Sequence, residues 1–106
     1  MKPLAKTFSK NGFTYEEVIR QGDIAIYKQR LRPGAGELAF EVFRVNKNEE
    51  RKMGGAVIPA AESGPSNEQF GASAWSYPEL GRAKAKFAEL VKAAAQKAEK
   101  ASLARP

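Results

Sequence analysis

The chain of 106 residues contains no cysteine and no histidine. The first absence excludes disulfides, and with them the stapled secreted scaffolds. The second removes the commonest general base and the commonest metal ligand. Long apolar runs are missing too. No stretch approaches the roughly 18 apolar residues of a membrane span, and Met1-Lys2-Pro3-Leu4-Ala5-Lys6 has a charge but no apolar segment behind it, unlike a signal peptide. A cytoplasmic protein with no membrane partner is expected.

Acidic side chains are the minority, 12 against 18 Lys and Arg, for a net charge of +6. Such a balance favours weak attraction to polyanions without choosing among them. The carboxylates are dispersed, and Glu49-Glu50, the one adjacent pair beyond Glu16-Glu17, lies in turn chemistry. None is read as a general acid with a raised pKa, so the sequence points to a protein that is not an enzyme, with no catalytic residue, metal or cofactor. Gly54-Gly55 and Gly34-Ala35-Gly36 lack the spacing of phosphate-binding loops and are read as turns.

Apolar residues amount to 42% of the chain, enough for one core. Three segments have strand character: 13–20, 24–31 and 37–46. They are separated by Gln21-Gly22-Asp23 and by Arg32-Pro33-Gly34-Ala35-Gly36. Short turns between neighbouring strands predict an antiparallel meander. Residues 56–58, ended by Pro59, would supply a short fourth strand. Ser76-Tyr77-Pro78-Glu79 has the form of a capping box, with Ser76 as the cap. After it Leu80, Ala83, Phe87, Leu90, Val91, Ala94 and Ala98 recur at helical spacing. The expected fold is α+β: a meander of three or four strands and then one long amphipathic C-terminal helix. Residues 1–10 form a loose arm, 11–102 the single domain and 103–106 a frayed end.

Centring the hairpins on Gly22 and between Gly34 and Ala35 sets Ile19 opposite Ala25, Tyr15 opposite Gln29, Gln29 opposite Phe40 and Tyr27 opposite Val42. One face then collects Phe13, Tyr15, Ile19, Tyr27, Leu31, Leu38, Phe40 and Val42, to be covered by Leu80, Phe87, Leu90 and Val91 of the helix. A charge row, Glu16 beside Lys28 beside Glu41, marks the other face. That second face also holds Val18, Ile24, Ile26, Phe43 and Val45, an apolar set that needs a cover. Residues 53–75 would cover part of it, with Val57, Ile58, Phe70 and Trp75, and a second subunit docked on these five residues would complete it. A homodimer is therefore expected.

The basic residues Arg20, Lys28, Arg30, Arg32, Arg44, Lys47, Arg51 and Lys52 surround the hairpin tips and the end of the third strand. Sheet aromatics ringed by cations bind single strands by stacking and phosphate neutralisation. Phe43 is the stacking candidate on the second face, Tyr15 and Tyr27 on the first. The competing reading makes these aromatics core and the cations a solvated rim.

The run from Phe13 to Tyr27, then Phe40-Glu-Val-Phe-Arg-Val45, then Ala74-Trp-Ser-Tyr77 before an Ala/Lys helix, resembles small uncharacterised proteins encoded by bacteriophages. The order of strands and helix is similar, in topology alone, to single-stranded-DNA-binding coactivator folds, which dimerise and use the sheet face. Two functions are thus expected of a non-enzymatic accessory protein. One is association with single-stranded DNA or RNA. The alternative is a protein-interaction module, such as a phage factor that binds and modulates a host protein.

Overall fold

The computed structural model describes residues 1–103. Its body is one five-stranded antiparallel sheet with a single helix against one face. Across the sheet the strands run β1 (Thr7–Lys10), β2 (Phe13–Gln21), β3 (Ile24–Arg30), β4 (Glu37–Arg44) and β9 (Ala74–Tyr77), and the helix is α1 (Leu80–Leu103). Two small hairpin-like pairs lie between β4 and β9: β5 (Asn46–Asn48) with β8 (Ala61–Ser63), and β6 (Arg51–Met53) with β7 (Ala56–Ile58). A 3-10 turn at Asn67–Gln69 precedes β9. Of the end expected to fray, residues 104–106 lie outside the described residues. Among the described residues no helix is long and apolar enough to cross a membrane.

The N-terminal ten residues are tied into the fold, against the expectation of a loose arm. Asn11 and Gly12 both take positive φ, 53° and 82°, as the two central residues of a type I′ hairpin must. This turn pairs β1 with β2, Phe8 opposite Tyr15 and Lys10 opposite Phe13. Further toward the terminus, Lys2 exchanges backbone hydrogen bonds with Ala60 and Glu62. The fourth strand expected at 56–58 does form, but Gly54 and Gly55 at φ 57° and 84° fold it back on Arg51–Met53 rather than into the main sheet. Both strands of that hairpin are exposed throughout.

The register departs from expectation at two irregularities. Between β2 and β3, Tyr15 faces Gln29 and Glu16 faces Lys28 as expected, but a bulge between Glu17 and Ile19 puts Ile19 opposite Ile26 instead of Ala25. Between β3 and β4 the pairing is one residue off: Gln29 faces Ala39, Tyr27 faces Glu41 and Ile26 faces Val42. A one-residue slip sends every side chain of a strand to the opposite face. The expected core face is accordingly divided between two layers, while Ile19, Leu31 and Leu38 are exposed.

The first layer lies under α1. Ile24, Ile26 and Val42 pack there with Ala83, Phe87 and Leu90, and Val18, Phe40, Trp75, Leu80 and Val91 close its margin. The helix contributes the stripe that its periodicity predicts. Its start differs: the Glu79 carbonyl accepts the first helical hydrogen bond, from the Ala83 amide, and Ser76 is extended in β9 opposite Glu41. Pairing of Ala74–Tyr77 with the free edge of β4 overrides the capping box. The second layer lies on the far face. Tyr15, Ala25, Tyr27, Phe43, Val45 and Ala74 are buried there with Leu4, Phe8 and Phe13 around them.

Candidate functional site

Burial decides the fate of the expected sites. Phe43 is 1% exposed and stacked on Tyr27 at 5.4 Å between ring centroids, and Tyr27 is fully enclosed. Neither ring offers a face to a base. The proposed dimer patch does not exist as a patch: Val18, Ile24 and Ile26 face α1, whereas Phe43 and Val45 face the opposite way. All but half-buried Val18 are enclosed by this one chain, so the exposed surface from which a homodimer was expected is absent.

Four of the eight basic residues are held by carboxylates. Lys28 Nζ lies 3.5 Å from Glu16, and Arg30 Nε 2.9 Å from the same carboxylate. Lys47 Nζ is 3.2 Å from Asp23. Arg20 forms a bidentate pair with Glu62 at 2.7 and 2.8 Å. Glu62 also accepts from the Leu4 amide, at 3.0 Å. The Arg20 guanidinium and that amide hold the Glu62 carboxyl down to about 2. This clasp fixes the N-terminal arm across the second layer, helped by the Tyr27 hydroxyl, which donates to the Ala5 carbonyl at 2.8 Å. Arg32, Arg44, Arg51 and Lys52 are exposed, and none has a carboxylate partner among the described residues.

The arm and the segment 61–70 leave an open cleft over the second layer, a cavity of about 780 Å³. Its floor is the sheet itself, with Tyr15, Gln29 and Glu41 from three adjacent strands. Phe8 and Phe13 of the first hairpin form one wall and Phe70 part of the other. Lys10 Nζ donates to the Pro65 carbonyl at 2.6 Å and so bridges the two walls. Paired amides stiffen the far wall: Asn46 and Gln69 donate to one another at 2.7 and 3.1 Å, and Asn46 also donates to the Gly64 carbonyl. The volume lies within the 300–1,000 Å³ typical of small-molecule sites, and the mixture of aromatic walls with a few polar groups is their usual lining.

Glu41 is the unusual group in this cleft. It is 8% exposed as a residue, and among the described residues no donor or cation pairs with its carboxylate; since no fully buried side-chain oxygen there is left unpartnered, its carboxylate keeps contact with the water of the cleft. Burial pushes its pKa up, with only partial opposition from Lys10. The expectation that no carboxylate has a raised pKa is therefore corrected. Its expected partner Lys28 faces Phe40 instead, because of the register shift. Tyr15 is also pushed up, first by burial and then by the Glu41 charge, while its hydroxyl accepts from Gln29 at 3.1 Å.

Two signals in the sequence point to this cleft. Asn11-Gly12 between alternating segments marks the hairpin that brings in Phe8 and Lys10. Glu41 stands in the apolar run Ala39-Phe40-Glu41-Val42-Phe43, where either face assignment buries a neighbour. No family model matches the chain, and no curated protein or solved structure is significantly similar to it. Among the described residues no three His, Cys, Asp or Glu side chains come together as a metal site.

Proposed function

We propose that this protein is a non-enzymatic binding module whose site is the cleft between the first hairpin and the segment 61–70. One observation carries the reading: the carboxylate of Glu41, a residue 8% exposed, stands without a protein partner on the floor of an aromatic-walled cavity and keeps contact with water there. Folding a charge into such a place costs free energy unless something binds it. The cleft offers one such group with no base set against a nucleophile beside it, since the Tyr15 hydroxyl is engaged with Gln29. That arrangement suits recognition better than turnover. A nitrogen-15 NMR titration with a mixed library of small fragments tests the reading. Hits should shift the amides of Phe8, Tyr15, Gln29 and Gly64, and Phe70→Ala, at a partly exposed position, should weaken them. Shifts confined to other surfaces would reject the cleft.

Nucleic-acid association stands as a second reading, favoured by the cations left without partners. Arg32, Arg44, Arg51 and Lys52 remain exposed, and α1 between Leu80 and Lys100 carries six Lys or Arg against two Glu. Without a stacking platform such binding rests on phosphate contacts alone. Four contacts to a single strand imply a log–log salt slope of about −3. Binding to a single-stranded oligonucleotide that is indifferent to salt, or absent at low salt, removes this reading.

A further inference from the structure

Resting on the reading of the cleft as a binding site, we infer that its ligand is a small organic ammonium: an apolar body with a protonated amine whose N–H groups are donated to Glu41. The polar groups that line the cleft are already sorted into engaged and free. Glu62, the other carboxylate of the lining, is saturated by Arg20 and the Leu4 amide. Lys10, the cation of the lining, is turned to the Pro65 carbonyl. Asn46 and Gln69 satisfy each other. Of the two carboxylates in the lining, Glu41 is the one without a partner, an acceptor with a negative charge on the floor. An anionic guest would meet that charge, with Lys10, held to the Pro65 carbonyl, as the single cation of the lining to offset it. A neutral guest would leave it desolvated and unpaired.

The walls agree with this choice. Phe8 lies stacked on Tyr15, with ring centroids 5.1 Å apart, and Phe13 and Phe70 complete an aromatic surround. Aromatic faces and edges accept an apolar body, and their negative faces favour a cation over an anion. A charge-assisted hydrogen bond is roughly twice as strong as a neutral one, which sets the expected discrimination.

Three probes that share one body separate the inference from the reading beneath it: benzylamine, benzyl alcohol and benzoate, each titrated into the isotope-labelled full chain at pH 7. Benzylamine should shift the Phe8, Tyr15, Gln29 and Glu41 amides at a concentration about tenfold lower than benzyl alcohol, with benzoate weakest. In Glu41→Gln that preference should disappear while benzyl alcohol binding persists. If benzyl alcohol or benzoate binds the cleft as well as the amine, the ammonium inference fails and the cleft survives as a site. If the Gln variant keeps the preference, Glu41 is not the recognising group and the inference fails. If no probe shifts the cleft amides, both fail. The wild-type series decides without reference to whether the variant folds.

Discussion

Replacing Glu41 with glutamine should make this protein more stable at neutral pH. Glutamine keeps the volume and removes the charge. Glu41 is 8% exposed, has no ion-pair partner among the described residues and carries a raised pKa, caused first by burial. A group whose folded pKa exceeds its unfolded value holds its proton longer in the folded state. The stability it contributes is fully present below the unfolded value, about 4.3 for glutamate, and is lost as pH rises through the folded value. Leaving a buried polar group unsatisfied costs about 1–3 kcal/mol. Lys10 on β1 opposes the penalty, and the neighbouring Tyr15 is uncharged at neutral pH. The cleft's opening to water reduces the penalty further, so a gain near 1 kcal/mol is expected. For a domain of this size that is a rise in Tm of about 4–8 °C. Thermal unfolding of both proteins by circular dichroism from pH 3.5 to 8 is the assay. The two curves of Tm against pH should converge at the acid end and separate as pH rises. A variant less stable than wild type at pH 7, or a gap that persists unchanged at pH 3.5, would refute the reasoning.

Truncating Phe43 to Ala, in the layer remote from the helix, should cost about 3–5 kcal/mol, and so should Phe87→Ala beneath it; chemical denaturation measures each, and a cost under about 1 kcal/mol at Phe43 would mean the second layer is not a core. Ser76→Ala should stay within about 0.5 kcal/mol, because the residue is a strand position and not a helix cap, whose loss costs about 1 kcal/mol. Glu62, held down to about 2 by Arg20 and the Leu4 amide, contributes stability that is present above the unfolded value of about 4.3 and lost as pH falls toward 2. The protection factor of the Leu4 amide, its exchange rate relative to that of an unstructured peptide at the same pH, should fall over that range, and in Glu62→Gln it should be low at every pH.

The parts of this fold that were legible in the sequence are those fixed by local chemistry. Gln21-Gly22-Asp23 closes the β2–β3 hairpin, and the stripe from Leu80 through Val91 does face the core. The parts that were not legible depend on counting. One bulge near Val18 and another near Arg30 shift the pairing by a residue, and no residue type announces either. The sheet's second apolar face is visible in the sequence as Phe43 and Val45, but their spacing points equally to a second subunit as its cover. The cover is the chain's own N-terminus, and the signal for it was Asn11-Gly12, a type I′ turn that makes a strand of Thr7–Lys10. Ser76 shows the opposite failure. A sound local signature was present and a neighbouring strand edge outcompeted it.

The candidate site follows from that same miscount. In the expected register Glu41 stands in the wet row with Glu16 and Lys28, an ordinary surface ion pair worth little. In the observed register Lys28 keeps Glu16, and Glu41 lies opposite Tyr27 on the face that the arm and the segment 61–70 partly enclose. A single residue of slip therefore moves a surface carboxylate onto a largely enclosed face and parts it from Lys28. Covering that face completely would bury Glu41 beyond rescue, and leaving it open would expose Phe8, Phe13 and Tyr15 to water. The cleft is the arrangement between these two costs, with a charge held at the bottom of an aromatic pocket that stays accessible from outside. Its chemistry is thus a consequence of where the bulges fall, which is why residue types alone did not disclose it.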